Sequence, residues 1–281
     1  MSDPQEQSAD SPGERRGGVE LPKSPRLGPS VPRYKMTLAY DGTDFHGWQK
    51  QAPIGTDSLR TVQGVVEEAV ARTLWQRIHV VGASRTDAGA HALGQAAQFD
   101  AETTIPLDRL QMAINARLPQ DVDLRRIEPA ARDFDAIKMA SAKQYRYRIH
   151  NTARRPLHHR TQVWHCFDKK LATAPMRDAA ARMVGTHDFA GFACAHHGRL
   201  STVRTIFDCR IETYEPEVQV VVTGNGFLYN MVRIIAGTLV DIGRGRFKPH
   251  RIDAILESGD RRLGGATLPA GGLWLEWIRY E

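Results

Sequence analysis

V-G-A-S-R-T-D-A-G-A-H-A-L-G, Val81 to Gly94, reads as the end of one strand, a loop, and the approach to the next strand. Ile78 to Ala83 is apolar and β-branched, which suits a buried strand, and Gln95 to Phe99 suits a second. Between them Gly89 permits a tight bend, and the loop carries Arg85, Asp87 and His91. On the N-terminal side, Tyr34 to Tyr40 reads as a strand ended by Asp41-Gly42. Val62, Val65, Val66, Ala69, Val70 and Leu74 then recur at helical spacing. On the C-terminal side, Pro106 suits a first helical turn, Leu107, Leu110 and Ile114 share a face, and Val122 to Ile127 closes as a strand. The order is βαββαβ.

The second half repeats that order. Met139 to Ile149 reads as a strand, and Pro175 opens a helix with Gly185 as its C-terminal cap. Strands follow near Thr202 to Ile211 and Val218 to Thr223. An amphipathic helix runs from Phe227 to Ile242 and is capped by Gly243. Ile252, Ile255 and Leu256 mark a short extra helix, and Leu273 to Tyr280 is the last strand. The expected fold class is α+β: two ferredoxin-like domains, 33–130 and 131–281, with antiparallel sheets side by side and an active-site cleft between them. Residues 1–32 hold Pro4, Pro12, Pro22, Pro25 and Pro29 and no aromatic. Such a segment buries too little apolar surface to offset its ordering entropy and is expected to be disordered.

The chain has 281 residues, 38 Lys and Arg against 32 Asp and Glu, and a pI of about 9.4. A basic surplus favours polyanionic partners without proving one. Three cysteines with no CxxC pair suit reduced thiols in a cytoplasmic protein. No apolar run reaches the roughly 18 residues of a membrane span, and none resembles a signal-peptide core. No GxGxxG or P-loop is present, so no nucleotide cofactor is expected. Cys194-Ala195-His196-His197 with His165-Cys166 fits no standard zinc spacing, so no metal is expected.

Three segments can carry chemistry. A carboxylate on a loop held between two core strands is well placed for catalysis, although Asp87-Ala88-Gly89 also suits a plain turn. In Lys143 to Ile149, alternation puts Tyr145 on one face with Lys143, Tyr147 and Ile149, and Gln144, Arg146 and Arg148 on the other. An aromatic face beside basic residues can stack a base and hold phosphates, or be an ordinary half-buried strand. Arg233 lies at the edge of its helix's apolar stripe, one turn after Asn230, where it can reach water or a carboxylate.

Taken together and in order, these segments resemble the TruA family of tRNA pseudouridine synthases. The resemblance rests on A-Y-D-G-T-D-F-H-G-W-Q from Ala39, S-R-T-D-A-G-A-H-A-L-G-Q from Ser84, and I-N-A-R-L-P from Ile114. It continues with F-D-A from Phe134, S-A-K-Q-Y-R-Y from Ser141, G-T-H-D-F from Gly185, N-G-F-L-Y-N-M-V-R from Asn225 and G-G-L-W-L from Gly271. It implies that Asp87 is the catalytic carboxylate and that Arg233 pairs with it and keeps it aimed. Arg85 would displace the target base, Tyr145 would pack on the flipped uracil, and Leu273 or Leu275 would wall its pocket. His91 is grouped with these substrate contacts. Ile137 stands where the family usually has Arg, and Ser84 where Gly is frequent. The resemblance further implies a homodimer acting on tRNA, at uridines of the anticodon stem-loop, with no cofactor. Two other readings compete. A non-catalytic RNA-binding protein or tRNA chaperone on the same fold would have no need of Asp87. An N-glycoside hydrolase would need a second carboxylate to activate water.

Overall fold

A computed structural model describes residues 31–51, 59–167, 170–194 and 201–280. Residues 1–30 and His196 and His197 lie outside them, and with them most of the segment expected to be disordered and part of the cysteine–histidine cluster. The first half contributes β1 (Arg33–Tyr40), α1 (Val62–Leu74), β2 (Val81–Gly82), β3 (His91–Asp100), α2 (Leu107–Asn115) and β4 (Val122–Ala130). The second contributes β5 (Ala140–His150), β6 (Trp164–His165), α3 (Thr173–Ala181), β7 (Gly185–Asp188), β8 (Val203–Tyr214), β9 (Glu217–Gly224), α4 (Met231–Gly243), α5 (Arg251–Ser258) and β10 (Leu273–Tyr280).

The strands form one mixed sheet in the order β4-β1-β3-β10-β5-β9-β8-β7, with β2 pairing to β3 and β6 to β5. The two halves meet where β10 lies parallel to β3, with Trp274 opposite His91 and Leu275 opposite Ala92. The remaining pairs along that order are antiparallel. Buried side chains of both halves make a continuous cluster, from Met36, Leu38 and Val66 through Tyr147 and Leu275 to Ile234 and Leu239.

Five local expectations change. The strand expected over Ile78 to Ala83 is only Val81–Gly82, and β3 starts at His91 rather than Gln95. Gly185, with φ +121°, begins β7 instead of capping α3, which ends in a tight turn at Met183 and Val184. Gly243 is the last residue of α4, and Gly245 takes the positive φ beyond it. Most consequential, α4 starts at Met231, not Phe227, because Asn230 is left-handed (φ 61°, ψ 4°) and no α-helix runs through that conformation. Phe227 and Met231 share the apolar spacing of a helix, yet only Met231 belongs to one.

Alternation along β5 is as expected. Tyr145, Tyr147 and Ile149 are buried. On the opposite face Arg146 pairs with Glu276 at 2.5 Å and Glu212 at 2.6 Å, and Arg148 with Glu217 at 2.6 Å. These arginines are committed to a cross-strand ion-pair ladder, so they do not share a face with the tyrosines or serve phosphates beside them.

Candidate active site

The loop from Ser84 to Ala90 is fixed from both sides. The fully buried Gln95 accepts from the Ser84 N–H at 3.2 Å and donates to its carbonyl at 2.6 Å. The Thr86 and Tyr40 hydroxyls are hydrogen-bonded at 2.8 Å. The Trp48 N–H donates to the Thr86 carbonyl at 3.1 Å, and the Gly89 N–H to the Phe45 carbonyl at 3.2 Å. Gly89 has φ +80°, as the bend requires. Gly47, at φ +86°, lets the two loops touch: a Cβ there would lie 2.7 Å from the Thr86 carbonyl oxygen. Asp87 is therefore presented by a braced loop and is not a loose turn.

That loop forms one wall of a cavity of about 620 Å³. The segment from Phe227 to Arg233 forms another wall, and Tyr145, Lys143, Leu273 and Ile137 also line it. Arg233 donates from Nη1 to Oδ2 of Asp87 at 2.7 Å and to Oδ1 of Asn230 at 2.7 Å, and from Nε to the Leu268 carbonyl at 2.7 Å. Both partners of the ion pair are mostly buried, with side chains 17% and 21% exposed. Low dielectric and three donors in use leave the guanidinium little freedom. Among the described lining residues Asp87 is the sole carboxylate, against Arg85, Lys143 and Arg233.

Tyr145 lies edge-on to Phe227, ring centroids 5.1 Å apart, and its hydroxyl is hydrogen-bonded to Ser84 Oγ at 2.7 Å. Burial pushes its phenol up to about 12; the Ser84 hydrogen bond opposes this and the Asp87 carboxylate adds to it. Tyr40, Tyr147 and Tyr280 are raised as well, each chiefly by burial. The folded values lie above the ordinary 10.0, so the native state keeps protons that the unfolded chain releases. This stabilisation is complete below about pH 10 and is lost as pH rises toward 12. Urea unfolding at about pH 8 to 12 should show a plateau and then a decline, shallower in Tyr145→Phe. A decline equally steep in that variant would contradict the assignment.

The expected site residues divide clearly. Asp87, Arg233, Arg85, Tyr145 and Leu273 all line the cavity, Arg85 as an exposed side chain. Leu275 does not; it is fully buried opposite Tyr145 in the β5–β10 pairing. His91 is also outside. It is fully buried, stacked on Trp274 with centroids 4.4 Å apart, accepts from the Gly42 N–H at Nδ1, and donates from Nε2 to the Thr161 and Gly271 carbonyls. Burial lowers its pKa, the Asp41 carboxylate 3.1 Å from Nδ1 opposing it, and the side chain, with no exposed surface, packs where the sheet halves meet. Lys143 lines the cavity, its ammonium donating to the Ala83 carbonyl at 2.7 Å. Sequence reading missed Gln95, Tyr229 and the Ser84–Tyr145 contact. A glutamine within an apolar strand was the available signal for the first.

One carboxylate, its arginine and a buried tyrosine thus line one cavity at the junction of the two sheet halves, the class of site an enzyme uses. The family model described as tRNA pseudouridine synthase matches residues 36–137 and 179–281, and the chain belongs to that family. Asp87, Arg233 and Leu273 fall in the matched segments; Tyr145 falls between them. A tRNA pseudouridine synthase A of Caldicellulosiruptor saccharolyticus is 41% identical over 245 residues, covering 87% of this chain and 98% of that protein. The tRNA pseudouridine synthase A 2 of Clostridium perfringens is 40% identical over 246 residues, with 88% and 98% covered. That of Geobacillus kaustophilus is 39% identical over 251 residues, with 89% and 95% covered. The protein is an isomerase that converts uridine to pseudouridine in tRNA.

Proposed function

We propose that Asp87 is the reacting carboxylate and that the uridines converted lie in the anticodon stem-loop. The observation that carries the role of Asp87 is its pair with Arg233 at 2.7 Å, with Tyr145 lining the same cavity and no second carboxylate among its described lining residues; the anticodon stem-loop rests on the family resemblance alone. The reaction breaks the N1–C1′ bond, turns the uracil, and joins C5 to C1′; C5 gives up its proton and N1 gains one. Nothing is oxidised and nothing leaves, so the chemistry calls for no cofactor. Asp87 acts on the ribose, either attacking C1′ or taking a proton, which divides one difficult step into easier ones. The base leaves its stack at a cost of a few kcal/mol, and contact with Tyr145 returns about 1–3 kcal/mol. Arg85, exposed at the rim, displaces the base. A hydrolase would need a water-activating second carboxylate, which this lining lacks.

The same reading takes residues 33–130 and 131–281 as two ferredoxin-like domains after an N-terminal extension, 1–32. Supporting it, strand order is β4-β1-β3-β2 in the first half and β10-β5-β9-β8 in the second: last, first, third, second each time once the short β6 and β7 are set aside. The enzyme works in the cytoplasm as a homodimer with one tRNA crossing both subunits. No helix among the described residues is long and apolar enough to cross a membrane. Tritium release from tRNA labelled at uridine C5 tests the regional choice. Transcripts with uridine in the anticodon arm should release tritium, and transcripts with those uridines replaced by cytidine should not. Undiminished release from the replaced transcripts would overturn it.

A further inference from the structure

Asn230 occupies the N-cap of α4 but does not cap it. An N-cap asparagine ordinarily turns its side-chain oxygen onto an N–H of the first helical turn. Here Oδ1 accepts from Nη1 of Arg233 at 2.7 Å, and Nδ2 donates to Sγ of Cys194 at 3.2 Å. The amide orientation follows from chemistry: a guanidinium N–H only donates, so the facing atom is the oxygen, and the NH₂ is left for the sulfur. The backbone is left-handed, and the Met231 N–H donates to the Leu228 carbonyl at 3.1 Å. Leu228 to Met231 is thus a turn whose third residue has positive φ, where glycine or asparagine is favoured. Glycine would serve that turn with less strain. The chain instead keeps a side chain there and aims it at the arginine.

The same Nη1 that donates to Asn230 also donates to Asp87, so both of its hydrogens are committed. Leu268 and Asp87 anchor Nε and one hydrogen of Nη1. The Asn230 oxygen takes the other hydrogen of Nη1 and holds that edge of the guanidinium in place. We propose that Asn230 is a positioning residue for the isomerisation, fixing the guanidinium of Arg233 and, through it, the carboxylate of Asp87. The inference rests on the reading of Asp87 as the reacting carboxylate. Strained, non-capping backbone at a reacting site is a recurrent arrangement, because the surrounding structure can absorb its cost.

Asn230→Gly and Asn230→Ala test it. Glycine keeps the left-handed turn and removes only the side chain. Its kcat on saturating tRNA should fall about tenfold or more, since small misplacement of a reacting group is costly. KM should stay within about twofold, and Tm within about 3 °C of the parent. Alanine should lose as much kcat and, forced to positive φ, have a lower Tm than glycine. If Asn230→Gly keeps full kcat, or loses only in KM, Asn230 is a turn residue and the proposal is overturned. Asp87→Asn in the same assay separates the two readings. An active Asp87→Asn protein overturns the catalytic carboxylate itself, whereas an inactive one beside a fully active Asn230→Gly overturns only the role of Asn230.

Discussion

Asp87→Asn should abolish tritium release from C5-labelled tRNA while leaving tRNA binding within about threefold of the parent protein. The substitution is nearly isosteric. Asparagine keeps an oxygen that can accept from Nη1 of Arg233, and the bonds that hold the loop, from Gln95, Tyr40, Trp48 and Phe45, do not involve this side chain. What is lost is the anion that can attack C1′ or accept a proton. No other carboxylate among the described lining residues can replace it. Loss should reach roughly 10⁴-fold or more, the scale found when one member of a reacting unit is disabled with its geometry kept. Binding should survive, because a carboxylate among cations contributes nothing favourable to phosphate attraction. An Asp87→Asn protein with full turnover would remove Asp87 from the chemistry.

Arg233→Ala should be the next most severe change, lowering kcat about 10²–10³-fold with KM moving by less than about fivefold. The guanidinium is 17% exposed and bonded to Asp87, Asn230 and Leu268. Its removal leaves a mostly buried carboxylate without its counter-ion and frees it to turn away from the ribose. Lysine should restore only part of kcat, because one ammonium on a flexible stem cannot reproduce a planar fork at all three acceptors. Single-turnover rates at saturating tRNA, beside filter binding, separate the effects. A loss confined to binding would make Arg233 a phosphate contact.

Much of this site is legible along the chain because its parts are local. Asp87 and Gly89 stand in one short loop between apolar segments, and the positive φ at Gly89 is the conformation that loop requires. Tyr145 and Lys143 face the cavity from one strand because side chains alternate. The misplaced residues have non-local causes. His91 sits in the same motif as Asp87, yet β3 begins at it and carries it beneath Trp274, a residue 183 positions later in the chain. Leu273 and Leu275 are equivalent in the alternating pattern, and only the depth of β10 against Tyr145 puts one in the cavity wall and the other in the core. The arginines of β5 look available for RNA until Glu212, Glu217 and Glu276 arrive from three other strands.

Sequence alone determined most of the element order, without β6 and β7, and the loop that bears Asp87, since periodicity and turn chemistry act over short stretches; the arginine facing Asp87 came from the family resemblance. Tertiary structure decided three further things. The two halves fuse into one sheet through the parallel pairing of β10 with β3, which brings Asp87 and Arg233, 146 residues apart, to 2.7 Å. The helix expected from Phe227 starts instead at Met231, because Asn230 takes a left-handed turn and spends its side chain on Arg233. Burial then separates residues that line the cavity from those that only hold the sheet together. Those outcomes depend on which distant side chains compete for the same hydrogen bonds and space, and such competition exists only once the chain has folded.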